Sequence, residues 1–550
     1  MGTTAEKFIL SAMGAKITSE NQFKRFQRQF SRDNKVPFLT NDALLEAYHN
    51  LRAKKTIKRS AWLEQQLTLK STRSLSGIVV VTVLTKPYEC PGSCLYCPSE
   101  KNVPKSYFSS EPAVMRAICC EYDPFRQVIA RLEALKAVGH LTEKVNIRIV
   151  GGTWSYYPKR YRTWFVKELF RAANNRSVIL NEVKNLKDPS AKPQDDNARS
   201  LDLLQKTNET ALHRIVEISI ETRQDYIDID EIKRMRKLGI TKVELGVQSL
   251  YDKVLQINRR GHVTADTITA TKLLKDAGFK VSYQMMLNLP GSDIKQDLAM
   301  FEQLFANPDF QPDHLKIYPL ALVKEADVFK LYKEGLFKPY SADQLIELIT
   351  KIKQYIPYYC RIERVIRDIP ADLIVEGGAK VSNLRQEVFK ALGRERQTCN
   401  CIRCREIKGA FLNRLDVGMF RQDYDSADGK EIFLSIETKD RKNLISLLRL
   451  RIPSQYFVKR AHFISALDDA AIIREIHTYG PQVVIGKKSK NSPQHQGFGR
   501  QLVNEAERIA KGEYGLSKMA VIAGVGVREY FRALGYCLEN SYMIRDLGDN

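Results

Sequence analysis

The sequence predicts an α/β protein made of two α/β units behind a basic helical segment. Three observations predict it. Six strand-like runs alternate with helical stretches between residues 77 and 319. A second strand–helix block runs from about 416 to 550. Ahead of both, residues 1–75 have helical patterning and carry 14 Lys and Arg against 6 Asp and Glu. At 550 residues the chain exceeds one ordinary core, and about two to four domains are expected.

The N-terminal segment has its clearest helices in FKRFQRQF and TNDALLEAYHNLRAKK, with Thr40 or Asn41 placed to cap the second. Phe23, Phe30, Phe38 and Tyr48 lie among its basic residues. That mixture suits base stacking with phosphate contact, and equally an ordinary helical core. The first α/β unit spans 76–395. Its strand-like runs are GIVVVTVLT (77–85), VNIRIV (145–150), RIVEISI (214–220), TKVELGV (241–247), KVSYQMML (280–287) and DHLKIYP (313–319). Gly139, Gly239 and Gly278 follow the helices between them, as residues just past a helix end do. Alternation of this kind gives a parallel sheet, open or barrel-like, with functional groups at the C-terminal strand ends. An insertion at 174–212, polar and aperiodic over 174–200, reads as a surface loop. The second unit, 416–550, contains EIFLSIET, ISLLRLRIP, AIIREIHTYG, the helix QLVNEAERIAKG, the strand KMAVIAG and the helix VREYFRALGY.

Eighty-seven Lys and Arg against 64 Asp and Glu give a formal charge of +23, which favours a polyanionic partner, nucleic acid first. No run of about eighteen apolar residues is present, so no membrane span is expected. The start MGTTAEKFILSAMGAK lacks the features of a secretory signal, and a cytoplasmic protein is expected.

Six of the ten cysteines form two tight clusters, a pattern of metal binding rather than of disulfides. CPGSCLYC supplies Cys90, Cys94 and Cys97 directly after the first strand. Three thiolates hold three corners of a [4Fe-4S] cubane and leave the fourth iron open. A zinc ion would want a fourth ligand, and no His lies between 50 and 139. CNCIRC (396–415 linker) supplies Cys399, Cys401 and Cys404, compact enough for one structural zinc; Cys360, a His or water is left open as the fourth ligand. In the second unit QHQGFG precedes a helix, so glycine backbone N–H groups and a helix N-terminus face the same place, a cradle for pyrophosphate.

The C-x3-C-x2-C spacing after a first strand, with Tyr96 before the last cysteine, resembles the radical S-adenosylmethionine (SAM) superfamily. The resemblance implies a partial (βα)6 barrel, a [4Fe-4S] cluster and SAM bound at its open iron. It implies SAM contacts from Gly151 and Gly152 after the second strand, Glu221 and Arg223 at the end of the third, and Gln248 at the end of the fourth. The second unit resembles the GNAT acetyltransferase fold. That implies acetyl-CoA, with Glu475, Ile476, His477 and Thr478 lining the thioester, Gln494, Gln496, Gly497, Phe498, Gly499 and Arg500 forming the pyrophosphate loop, and Tyr530 near the CoA sulfur. Both units in this order, with MRAI, YDPF, GVQSLYD, NRRGH, RDIP and HQGFG, resemble the catalytic-subunit family of Elongator from about residue 76 to the end.

That family resemblance implies a tRNA-modifying enzyme that makes 5-carboxymethyluridine at the wobble position. A deoxyadenosyl radical would activate the acetyl-CoA methyl for addition to carbon 5 of uridine. It implies an acetyl-CoA-contacting lysine, Lys144, which with Tyr530 is the catalytic candidate. The implied partners are tRNA through its anticodon loop, acetyl-CoA and a reductant protein such as a flavodoxin or ferredoxin, with no membrane. Other Elongator subunits are not expected, and a homodimer is left open. The alternative is a protein lysine acetyltransferase with a structural iron–sulfur domain. It leaves the first cysteine cluster and the basic N-terminus without a purpose.

Overall fold

The computed structural model describes residues 3–67 apart from 16, 18 and 59, then 75–175, 200–407, 416–483, 485 and 492–548. The polar part of the insertion lies outside these residues apart from its ends. Its last part is a helix, Leu201–Asn208, which buries Leu201 and Leu204.

The N-terminal segment forms helices Thr4–Gly14, Glu20–Asp33, Asn41–Ala53 and Ala61–Leu67 around their own core. Phe23 and Tyr48 are buried in that core and Phe30 packs on it, whereas Phe38 is 55% exposed. The core reading therefore holds for three of the four aromatics, and only Phe38 is free to stack on a base. Thr40 takes the N-cap position of the third helix without a side-chain hydrogen bond.

All six predicted strands of the first unit are present: β1 Val79–Leu84, β2 Lys144–Val150, β3 Arg214–Thr222, β4 Lys242–Gln248, β5 Lys280–Leu287 and β6 His314–Pro319. A seventh, β7 Arg361–Arg364, extends them. They form one parallel sheet in sequential order, with β1 and β7 as its edges. Alternate residues face outward, as a period of two requires. Val79, Val81 and Val83 of β1 pack in the same core as Val128, Leu132, Phe165 and Leu169 of the surrounding helices. The other face is polar. Lys316 of β6 reaches Glu221 of β3 at 3.3 Å, Arg148 of β2 reaches Glu244 of β4 at 3.0 Å, and Lys242 of β4 ion-pairs with Glu363 of β7. In a flat sheet β3 and β6 would lie about 14 Å apart. These chords exist because the sheet curls into an open barrel with a charged lumen.

The second unit is a mixed sheet in the order β13-β14-β12-β11-β10-β9-β8: β8 Val417–Ser426, β9 Gly429–Thr438, β10 Leu444–Ile452, β11 Ala470–Thr478, β12 Lys518–Val521, β13 Cys537–Glu539 and β14 Tyr542–Asp546. The strand expected over 518–524 stops at Val521, and the helix expected over 527–536 is the short Arg528–Arg532. β11 and β12 are parallel and pair only over Ala470–Ile473. Beyond Ile473 the two strands part, and the helix Phe498–Tyr514 begins at that split.

The two units are bound through buried ion pairs. Asp313, ahead of β6, binds Arg474 of β11 by two hydrogen bonds of 2.9 and 2.5 Å, and Arg451 of β10 binds Asp276 at 2.7 Å. The backbones also touch: a Cβ on Gly524 would lie 2.0 Å from Val216 O, so only glycine permits this approach of the second unit to β3.

Candidate functional site

The barrel carries a cavity at each end. The smaller, about 380 Å³, lies at the C-terminal strand ends. Cys90, Cys94 and Cys97 enter it from the loop after β1, with Gly152, Glu221, Arg223 and Gln248 from the ends of β2, β3 and β4. Of the expected SAM residues only Gly151 turns elsewhere: a Cβ there would lie 2.5 Å from Thr85 Oγ1 and 3.2 Å from Thr85 N. Gln248 has φ +70°, which aims it into the cavity at the cost of a left-handed backbone.

Glu221 is already engaged. Its carboxylate accepts from Arg148 at 2.8 Å and Tyr107 Oη at 2.9 Å. Burial opposes its charge, but Lys316 and Arg148 hold its pKa down to about 2. Arg223 donates to both oxygens of Asp225 at 2.9 and 2.7 Å and to Gly261 O, while its buried Nη1 has no protein partner. Arg260, within the NRRGH stretch, was not among the predicted site residues, yet it donates to Cys94 Sγ at 3.2 Å. The hydrogen bond from Cys97 comes first and, against burial, the Arg260 guanidinium adds to it: the Cys94 thiol is lowered to about 5. The same thiol–thiol contact pushes the Cys97 thiol up, so the two act as a pair, and a thiol that accepts an arginine N–H beside two other thiols in one cavity is in a metal ligand's environment.

The residues present fit an iron–sulfur cluster and its substrate. Three sulfurs face one cavity that extends past them, and the buried Arg223 Nη1 and Tyr96 Oη stand there without protein partners. The CNCIRC sulfurs differ. Cys399, Cys401 and Cys404 lie within 4.8 Å of one another, and Cys401 and Cys404 are 3.3 Å apart. Thiolates on one tetrahedral ion at about 2.3 Å stand about 3.8 Å apart, so this triad suits a single ion. Lys353 Nζ approaches Cys399 at 3.4 Å and Cys404 at 3.8 Å. Cys360 is buried and is not part of the close group.

The larger cavity, about 1450 Å³, lies at the N-terminal strand ends, in the split between β11 and β12. Glu475, Ile476, His477, Thr478, Gln494, Gln496, Gly497, Phe498, Gly499, Arg500 and Tyr530 all line it, and so does Lys144. Gly497, φ +93°, precedes the first turn of the helix Phe498–Tyr514, whose N-terminus faces the same space. Several of these side chains hold the protein together as well. Gln494 accepts from Lys144 Nζ at 3.1 Å and from Val483 N at 3.2 Å, and donates to Thr478 O at 3.1 Å. Both atoms of its amide are used by protein groups. His477 meets Ser76 O at 2.7 Å. Glu475 binds Arg449 at 2.8 Å; burial opposes its charge, and Lys280, His314 and Arg449 hold it well below the usual carboxylate range. Lys144 also meets His495 at 3.1 Å, and burial pushes its ammonium down to about 8 against the pull of Glu143.

The two cavities lie at opposite ends of the same barrel. Ile78 lines the larger and Val80 the smaller. Two residues of extended chain span about 7 Å. Between them stands Asn146, which donates to Glu217 at 2.6 Å and keeps a buried Oδ1 without a partner.

A curled parallel sheet with a three-cysteine loop after its first strand defines the class: the Radical SAM superfamily model matches residues 86–304, and the Radical SAM C-terminal domain model matches 312–394. The class implies a [4Fe-4S] cluster and SAM at the smaller cavity. Within it, the chain belongs to the family of tRNA uridine(34) acetyltransferase and Elongator complex protein 3. It is 42% identical to the tRNA uridine(34) acetyltransferase of Methanocaldococcus infernus, over 88% of this chain and 88% of that one. It is 37% identical to Elongator complex protein 3 of Saccharomyces cerevisiae, over 88% and 85%. The solved structure of Methanocaldococcus infernus Elp3 with an N-terminal deletion covers 86% of this chain and 99% of its own, at a TM-score of 0.72 and 39% identity. Among the described residues no helix is long and apolar enough to cross a membrane.

Proposed function

We propose that this enzyme modifies uridine 34 of tRNA, using acetyl-CoA as the carbon source and a SAM-derived radical to activate it. The observation that carries the reading is that one barrel has the cysteine triad in the cavity at one end and a GNAT-like pyrophosphate loop in the cavity at the other, with Ile78, just ahead of β1, and Val80 of β1 lining one each. When bound, the cluster and SAM would supply the 5′-deoxyadenosyl radical; the protein's own residues hold the reactants in reach of it.

The second unit is read as a GNAT domain. Its helix N-terminus at Phe498 and the Gly497–Gly499 loop would cradle the CoA pyrophosphate. Tyr530, 40% exposed in the cavity, would donate its phenol to the departing CoA sulfur. Lys144 reaches the same cavity from β2 and would place a positive charge by the thioester. The open side of the barrel between β1 and β7, where Val80 is 44% exposed and Arg364 and Arg367 stand, would admit a splayed anticodon base. The basic helices at the N-terminus support a tRNA-binding role through phosphate contact. Cys399, Cys401 and Cys404 would hold a structural zinc. A low-potential flavodoxin- or ferredoxin-like donor fits the cluster's need for an electron, and a tRNA substrate fits a cytoplasmic setting.

The test is nucleoside mass spectrometry after anaerobic incubation of reconstituted enzyme with tRNA, acetyl-CoA and SAM. Carboxymethyluridine should form with the wild type and not with Cys94→Ser. Acetylated peptide lysines without any modified uridine would establish the lysine acetyltransferase alternative instead.

A further inference from the structure

Arg260 is 6% exposed, and among the described residues no carboxylate forms an ion pair with it. Its Nη2 donates to Gly246 O at 2.6 Å and its Nη1 to Cys94 Sγ at 3.2 Å, while Nε has no partner. A buried guanidinium without a counter-charge is costly. The acidic side chain hydrogen-bonded to it is the thiol of Cys94, and the fold goes to some length to hold it there. Arg260 follows the helix Asp252–Ile257 on a turn in which Arg259 is left-handed, φ +53°. Asn258 fixes that turn by donating to Pro290 O at 2.8 Å, and its own carbonyl accepts from Leu95 N at 3.3 Å, inside the cysteine loop. The arginine and the loop it serves are thus tied to each other by backbone and side chain.

Arg223 makes a useful contrast. Its Nη1 would lie 2.8 Å from a Cβ on Gly92, a point 3.5 Å from Cys94 Sγ and 3.9 Å from Cys90 Sγ. It borders the same sulfurs, but Asp225 already balances its charge. Arg260 is the uncompensated cation of the pair.

We propose that Arg260 is a positioning residue for the electron-accepting step: its buried charge and its N–H···S bond raise the reduction potential of the cluster held by Cys90, Cys94 and Cys97. The inference rests on the cluster reading, not on the acetyl-CoA reading. The step is a one-electron transfer from a low-potential donor of the flavin or iron–sulfur class. The donor loses one electron and the cluster gains one, with no bond formed or broken. The cluster then carries one more negative charge, and a fixed cation in a poorly solvated site stabilises that state most. Hydrogen bonds to cluster sulfur and the local charge are recognised controls of such potentials.

The test uses full-length, reconstituted protein without SAM. Iron and sulfide are measured, and the midpoint potential is read by electron paramagnetic resonance during a mediated dithionite titration. The variants are Arg260→Lys, Arg260→Gln and Arg260→Met. The midpoint should fall in Gln and Met at unchanged iron content, with Lys between them and the wild type. Equal midpoints in all four proteins would overturn the proposal. So would an equal fall in Lys and Gln, which would mean shape rather than charge is at stake. If Met fails to assemble a cluster, the Lys–Gln comparison decides, and loss of iron in all three variants assigns Arg260 to loop folding and refutes the redox role. A wild-type protein that takes up no iron would refute the cluster reading itself.

Discussion

Lys144 of β2 and Gln494 of the glycine loop, 350 residues apart in the chain, are joined by a 3.1 Å hydrogen bond across the larger cavity. The bond makes one wall out of two units. It also explains why Lys144 is desolvated: the loop that would hold pyrophosphate closes over it. Below pH about 8 Lys144 is charged, and above it the charge is lost. Acetyl-CoA affinity should therefore decline as pH rises through about 8. Lys144→Arg should flatten that profile, because arginine stays charged. Lys144→Met should weaken binding about tenfold or more at pH 7, the worth of a charged hydrogen bond. Calorimetry across pH 6.5–9.5 checks all three.

Removing Arg474 takes from buried Asp313 its closest cation, leaving Arg449 at 3.6 Å, and takes a partner from buried Glu431 as well. Arg474→Met should destabilise the protein by about 3–5 kcal/mol, the usual result of breaking a buried pair. Denaturant melts should show this as a lower midpoint.

Gly524→Ala places a methyl against Val216 O, which is backbone and has little freedom to move. The expected cost is about 1–3 kcal/mol, with looser attachment of the second unit. Faster hydrogen exchange in β3 and in 521–527, with other strands unchanged, would report it.

His213 is buried, bonds Thr142 O at 2.8 Å, and burial lowers its pKa to about 4 from 6.5. The unfolded chain binds the proton first, so the stability this group contributes is present above pH 6.5 and is lost as pH falls toward 4. His213→Asn should weaken that dependence in urea melts taken between these values.

Cys401→Ser should remove one equivalent of zinc and leave the iron of the other cluster in place. Elemental analysis of the purified variant measures both. Loss of iron together with zinc would mean that the triad is not a separate site.

Much of this was legible in the sequence, and for definite reasons. The six strands showed because each has an apolar outer face and β-branched residues. The cysteine loop and QHQGFG showed because their chemistry depends on local spacing. What stayed hidden depends on curling. Lys144, Asn146 and Arg148, Glu217, Ser219 and Glu221, Lys242 and Glu244, and His314 and Lys316 all alternate with apolar residues along their strands. A period of two with charge on one face announces a polar lumen, but which charges meet is fixed only when β3 and β6 come together. β7 is four residues of RIER with one buried side chain, too little pattern to find. β8 is an edge strand, exposed at every other position or nearly so. Arg260 carried no signal of its own in NRRGH, because its partner lies 166 residues away. Phe23 and Tyr48 looked equally like stackers and core, and only packing decided.

The central claim is that the acetyl methyl group is brought to the radical within the one barrel that carries both cavities. Its most direct measurement is isotope transfer from acetyl-CoA carrying a trideuterated methyl group, with SAM, reductant and tRNA present. Deuterium should appear in the 5′-deoxyadenosine released by the wild type, and the modified uridine should keep two deuterons at the new side-chain carbon. Formation of 5′-deoxyadenosine free of deuterium, beside uridine that still gains the two-carbon group, would contradict the account.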